Sequence, residues 1–103
     1  MNKKLKRICE NLNWSVWDCD KDIELHKSSP AGEDFFFTVN KDNFLNEIIE
    51  YAEDFDPDEH AEMWVKNMHF VKGVPQSIRT LINDADAIKE MLEELANKLK
   101  GSK

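Results

Sequence analysis

Residues 14–39 have the sequence WSVWDCDKDIELHKSSPAGEDFFFTV, in which hydrophobic and polar residues alternate over three short segments. The alternation predicts strands at Trp14–Asp18, Ile23–His26 and Phe35–Val39, because successive side chains of a strand point to opposite faces. The polar segment and the Pro- and Gly-containing segment between the strands predict turns. Connections this short join antiparallel neighbours, so we expect a three-stranded antiparallel meander.

The same alternation divides the strand side chains between the two faces of the sheet. The predicted core face carries Trp14, Val16, Ile23, Leu25, Phe35, Phe37 and Val39. The opposite face carries Trp17, Cys19, His26 and Phe36. We expect the first helix or the N-terminal arm to cover Trp17 and Phe36, and the alternative is an exposed aromatic patch that contacts a partner.

Helical periodicity flanks the strands on both sides. Apolar residues spaced by three and four predict a first helix whose stripe is Leu5, Ile8, Cys9 and Leu12. After the strands, the same spacing predicts helices at 43–55, 57–68 and 84–100, with a short turn at 78–82 before the last one. The helix starts are predicted from three possible caps, namely Asp42, Asp56 with Pro57 after it, and Asn83 or Asp84.

The order of elements, α-β-β-β-α-α-α-α, groups the strands and groups the helices, which is typical of the α+β class. We predict a single α+β domain over residues 1–100 with a flexible tail at 101–103, in which helices pack on a three-stranded sheet. The predicted core consists of Trp14, Val16, Leu25, Phe35, Phe37, Leu45, Ile48, Ile49, Trp64, Ile88, Leu92 and Leu95.

Carboxylates are concentrated in residues 42–62, which contain nine Asp and Glu residues and no Lys or Arg, within a chain of net charge −7. A field of one sign repels nucleic acid and membranes and attracts basic surfaces or cations. We therefore predict that this segment binds a basic protein surface, with the alternative that it only confers solubility. The predicted contact residues are Glu47, Glu50, Glu53, Asp54, Asp58, Glu59 and Glu62.

Two segments have the residue types of a metal site. Residues 18–24 begin like a calcium loop but lack its sixth-position glycine and twelfth-position glutamate, so a polar hairpin turn is favoured. Residues 56–62 contain Asp56, Asp58, His60 and Glu62, yet His60 and Glu62 are two apart and point away from each other on a helix. Helix capping is favoured there, and a weak surface cation site is the alternative.

Nucleophilic chemistry has little support in the sequence. Cys9 lies on the apolar stripe of the first helix, and Cys19 has acidic neighbours that raise a thiol pKa. The histidines form no triad by spacing, and no Gly-rich phosphate loop is present. We predict a protein that is not an enzyme and uses no cofactor. With no apolar membrane segment and no signal-peptide pattern, we predict a cytoplasmic location with free thiols.

Three stretches occur together in this chain: SPAGEDF at 29–35, EYAEDFDPDEHAEMW at 50–64 and DADAI at 84–88. They resemble a family of small, uncharacterised acidic proteins from phages and conjugative elements of Gram-positive gut bacteria. The resemblance runs from about Trp14 to Leu99 and brings no activity or site residues with it. It implies the context of an accessory protein of a mobile element, and such elements often carry acidic inhibitors of defence systems.

Together these patterns predict a non-catalytic accessory protein that binds a basic partner, with nucleic-acid mimicry as one form of that binding. Trp17 and Phe36 are included among the partner-binding residues. One alternative is a homodimeric structural or regulatory module that uses the last helix or the face with Trp17 and Phe36. The other is a weak metal-binding protein. No direct contact with nucleic acid or membrane is predicted, and the protein is expected to be a monomer or a homodimer.

Overall fold

The computed structural model describes residues 3–67 and 78–101, without the side chains of residues 64–67 and 78–81. The described elements are, in chain order, α1 (Lys3–Asn11), β1 (Ser15–Asp18), β2 (Asp22–Ser28), β3 (Asp34–Asn40), a 3-10 turn (Lys41–Asn43), α2 (Phe44–Asp54), α3 (Pro57–Asn67) and α4 (Ile78–Lys100). One helix precedes the strands and three described helices follow them, which confirms the predicted α+β class with its strands grouped between a first helix and the later helices.

The strands form an antiparallel sheet in the order β1-β2-β3. Val16 lies opposite Leu25, and Leu25 lies opposite Phe37, so the apolar residues of the three strands share one face. The period-two pattern sets this register, since a slip of one residue would move the apolar set to solvent. The predicted meander is therefore confirmed.

Helix α1 packs on the same sheet face as the later helices. Its Cys9 is fully buried in one cluster with Trp14, Ile48 and Leu99. The chain reverses at Asn13, whose φ is +69°, while the amide of Trp14 donates to the carbonyl of Cys9 at 3.0 Å. This Schellman-type ending directs Trp14 into the core immediately after the helix.

The expectation that α1 or the N-terminal arm covers Trp17 and Phe36 is wrong for the residues that the structure describes. Both side chains are 55% exposed. The apolar stripe of α1 is already used against the core face of the sheet, with Leu5, Ile8 and Leu12 packed beside the buried cluster. Among the described residues, therefore, the first helix leaves the opposite face uncovered.

Most of the predicted core is buried. The confirmed members are Trp14, Leu25, Phe35, Phe37, Ile48, Ile88, Leu92 and Leu95. Val16, Leu45 and Ile49 are half-buried at the edge of the cluster, and the side chain of Trp64 lies outside the described residues.

Helix α4 is longer than predicted, because it begins at Ile78 and runs without interruption to Lys100. The separate turn at 78–82 and the cap at Asn83 or Asp84 are therefore wrong. No Gly or Pro interrupts this segment, and the carboxylate of Asp84 binds another part of the chain instead of capping a helix end. Asp42 also does not cap α2, since it lies in the 3-10 turn and its amide donates to the Asn40 side chain.

Candidate functional site

The predicted acidic contact residues lie on α2 and α3, and most of them face solvent. Glu50, Glu53, Asp54, Asp58, Glu59 and Glu62 are exposed. Glu47 is different, because it is half-buried and accepts the backbone N–H of Asn40 at 2.8 Å. Glu47 therefore holds the end of β3 against α2 and is a poor contact residue.

Two lysines of α4 lie beside the end of α2. Lys100 Nζ lies 3.6 Å from a carboxylate oxygen of Glu53. Lys89 donates to the carbonyls of Ala52 and Glu53 in the last turn of α2, where a cation complements the helix dipole. Both lysines lie beside the acidic segment in the fold but far from it in sequence, so spacing could not reveal them.

Four of the other carboxylates are exposed and have no lysine or arginine bound to them among the described side chains, those of residues 3–63 and 82–101. They are Glu50, Asp54, Asp58 and Glu59. We define these four as the acidic surface. They extend from the second half of α2 to the first turn of α3, on either side of the break between the helices.

The break between α2 and α3 is fixed by Asp56. Its carboxylate accepts the backbone N–H groups of Asp58 at 3.0 Å and Glu59 at 3.4 Å, and Pro57 is the first residue of α3. This is the predicted N-cap, and it satisfies amides that a helix start leaves without intrahelical partners. The capping interpretation of residues 56–62 is confirmed.

A cleft of about 250 Å³ opens at this break. It is lined by Tyr51, Asp54, Phe55, Asp56, Glu59, His60 and Met63. The ring centroids of Tyr51 and Phe55 are 6.2 Å apart, and those of Phe55 and His60 are 5.2 Å apart. Phe37 stacks on one face of Tyr51 at 4.4 Å, so the aromatic wall of the cleft is anchored on the core. We call this space the junction cleft.

His60, at the edge of the junction cleft, is held by a carboxylate from the loop between β2 and β3. Its Nε2 lies 3.0 and 2.9 Å from the two carboxylate oxygens of Glu33. The side chains are only 20% and 10% exposed, respectively. Burial and the nearby Glu33 carboxylate raise the pKa of Tyr51 above its ordinary value. No spacing pattern indicates this pair, because Glu33 and His60 lie 27 residues apart in the chain.

A second buried carboxylate holds the same loop from the other side. Asp84, which is 5% exposed, accepts the hydroxyl of Ser29 at 2.6 Å and the backbone N–H of Ala31 at 2.9 Å. The Ser29 oxygen in turn accepts the N–H of Glu33 at 2.9 Å. Gly32, with φ +95°, supplies the left-handed conformation that this tight loop needs.

These bonds join the three stretches that carry the family resemblance. Residues 29–35 contact 84–88 through Ser29 and Asp84, and they contact 50–64 through Glu33 and His60. The stretches therefore form one connected structural unit. The family resemblance of these stretches was the only sequence signal that placed Glu33, His60 and Asp84 in one group.

On the open face of the sheet, Trp17, His26 and Phe36 form a row that we call the aromatic ridge. The rings of Trp17 and His26 stack at 4.2 Å, and those of His26 and Phe36 at 5.2 Å. Glu24 fixes His26 through a 3.2 Å contact with its Nε2. Because the rings stack on one another across the strands, their inner faces are occupied, and the ridge offers ring edges and its two outer faces to a partner.

Neither thiol is arranged as a nucleophile. Burial raises the pKa of Cys9 to about 11. Cys19 donates to the Glu24 carboxylate at 3.4 Å, which raises its pKa. Both thiols are free, as predicted.

No group of three or more His, Cys, Asp or Glu side chains in the described part of the chain is placed to hold a metal ion. None of the described helices is long and apolar enough to cross a membrane. In comparisons with known proteins, no family model, curated protein or solved structure matches this chain.

Proposed function

We propose that this protein is a non-catalytic binding protein whose acidic surface contacts a basic surface of a protein partner. The supporting observation is that Glu50, Asp54, Asp58 and Glu59 are exposed and have no lysine or arginine partner among the described residues. Carboxylates without internal partners keep their full attraction for external cations, whereas paired ones lose part of it.

Nucleic-acid mimicry is the form of binding that fits an accessory protein of a mobile element, the context implied by the family resemblance. Carboxylates spread along two consecutive helices reproduce the repeated negative charge that a basic nucleic-acid channel binds. On this proposal the protein occupies such a channel without contacting nucleic acid itself. The aromatic ridge lies on a different element and is not needed for this contact.

Charge reversal in the acidic surface should abolish most of this binding. In the triple variant Glu50→Lys, Asp54→Lys and Asp58→Lys, we expect affinity for immobilised poly-arginine at low salt to fall about tenfold or more, because like charges replace attractive ones. The measurement is surface plasmon resonance over a series of salt concentrations, with folding checked by circular dichroism.

A matched control separates a localised contact surface from a general effect of net charge. The variant Asp20→Lys, Asp34→Lys and Asp86→Lys changes three exposed carboxylates elsewhere and alters the net charge equally. At the physiological end of the salt series, where exposed charges more than about 8 Å apart are largely screened, we expect it to weaken binding less than about threefold. Equal losses in the two variants would show that the acidic surface only contributes to overall charge and solubility.

The aromatic ridge favours a second candidate function, a homodimeric module. Trp17 and Phe36 are each 55% exposed, and exposed aromatic groups are enriched at protein interfaces. On this hypothesis, sedimentation at micromolar concentration gives twice the chain mass of 12.1 kDa, and the double variant Trp17→Ser and Phe36→Ser gives the monomer mass. A wild-type protein that sediments as a monomer contradicts the dimer.

A further inference from the structure

The junction cleft brings aromatic rings and carboxylates together in one concave space. Tyr51 and Phe55 form one wall, and Asp54, Asp56 and Glu59 lie around it. Asp54 and Glu59 are exposed and belong to the acidic surface. The cleft is therefore the place where that surface becomes concave and acquires an apolar wall.

The hydrogen bonds around the cleft leave acceptors available to a ligand. One oxygen of Asp56, Oδ1, accepts the first amides of α3, and Oδ2 makes no hydrogen bond within the described residues. His60 directs its Nε2 to Glu33, which lies on the loop between β2 and β3. The lining thus presents carboxylate oxygens, and the Nε2 of His60 is already occupied by Glu33.

A cation with a flat, weakly hydrated head group matches this lining. A guanidinium group can stack on an aromatic ring and donate paired hydrogen bonds to carboxylates, whereas an ammonium group is a compact and strongly hydrated point charge. Phe37 covers one face of Tyr51, and Phe55 contacts Phe35 and His60, so the parts of Tyr51 and Phe55 that line the cleft are the ones offered for stacking. Charge and shape therefore both favour arginine.

We propose that the junction cleft binds the side chain of an arginine from the protein partner. This inference rests on the proposed function and specifies its anchor: the acidic surface attracts the basic partner, and one arginine is seated between α2 and α3. Buried arginines of this kind commonly supply much of the binding energy of an interface.

The test is a titration of the full chain with Nα-acetyl-arginine amide, followed by NMR at the resonances of Tyr51, Phe55 and His60. We expect a dissociation constant on the order of 1 mM, typical of a ligand this small. The neutral isostere Nα-acetyl-citrulline amide should bind about tenfold more weakly because it lacks the charge. Nα-acetyl-lysine amide should bind about threefold more weakly than arginine because its ammonium group stacks poorly.

Paired variants place the binding in the cleft. Asp54→Asn with Glu59→Gln should weaken arginine binding about fivefold or more. Glu50→Gln with Asp58→Asn removes the same charge from the same helices but from residues that do not line the cleft, and it should change binding less than twofold. Both pairs are exposed, so the fold is expected to tolerate them.

Citrulline binding as tight as arginine binding, shifts confined to other parts of the chain, or equal losses in the two paired variants would each overturn the arginine site. The poly-arginine measurement is independent of this result. If it still depends on the acidic surface while the cleft fails to bind arginine, the proposed function stands and only the anchor is wrong. If both fail, the proposed function is wrong as well.

Discussion

Replacement of Trp14 by alanine should destabilise the protein by about 4 kcal/mol, within the range measured for large aromatic residues removed from a core. Trp14 is 2% exposed. Its ring packs edge-on against Phe35 at 6.3 Å and Phe37 at 5.7 Å, and it therefore links α1 to the strands. Truncation removes these contacts and leaves a cavity that neighbouring side chains can fill only in part. Urea unfolding followed by far-UV circular dichroism measures the loss.

Trp17 provides the matched control, since the same residue type lies three positions away on the open face of the sheet. Trp17→Ala should cost about 1 kcal/mol or less, because the exposed ring loses only its stacking on His26. Trp14→Phe should cost less than half of the alanine value. It keeps most of the ring and removes an indole N–H that has no acceptor among the described residues. Equal costs for Trp14→Ala and Trp17→Ala would contradict the assignment of the two sheet faces.

The strands and their faces were predictable because a period of two places every side chain once the strand is recognised. Leu25 and Phe37 lie on the predicted core face, and Trp17 and Phe36 lie on the opposite one. The position of α1 was not predictable in the same way. The apolar stripe of α1 indicates that one side of the helix is buried, but it does not indicate which face of the sheet the helix packs on.

The start of α4 and the loop contacts were missed for a related reason. Asp84 has the residue type of a helix cap, and only the fold shows that its carboxylate is occupied by Ser29 and Ala31. The pair formed by Glu33 and His60 likewise joins segments with no shared periodicity. Contacts between distant polar residues leave no pattern in a single sequence, because many carboxylates are equally available as partners.

The sequence predicts that residues 42–62 are rich in carboxylates, but it predicts only in part which of them are exposed and unpaired. Nine carboxylates without a nearby cation are visible in residues 42–62. Two contacts depend on how α4 and β3 lie against α2. Lys100 pairs with Glu53, and Glu47 accepts the backbone N–H of Asn40. The junction cleft was not predictable either. It lies at the break between α2 and α3, where Asp56 caps the start of α3.

Replacement of Asp84 by alanine should destabilise the protein by about 3 kcal/mol. The buried carboxylate accepts two hydrogen bonds from the loop between β2 and β3, from the Ser29 hydroxyl and the Ala31 amide. Its removal leaves the Ser29 hydroxyl, which is 5% exposed, without its acceptor, and a buried polar group without a partner costs about 1–3 kcal/mol. The alanine variant also no longer has to bury a carboxylate, and this saving in desolvation free energy offsets part of the loss. The expected destabilisation is therefore well below the summed free energies of the two hydrogen bonds.

Asp86 is the matched control, because it lies two positions further along α4 and is exposed. Asp86→Ala should change the unfolding free energy by about 0.5 kcal/mol or less. In a double-mutant cycle with Ser29→Ala, the coupling to Asp84 should be about 1–2 kcal/mol, since the two side chains share one bond. An Asp84→Ala cost no larger than that of Asp86→Ala, or a coupling near zero, would mean that the loop is held by its backbone alone. Contacts other than those of Asp84 would then have to attach the loop to α4 and hold Glu33 beside His60.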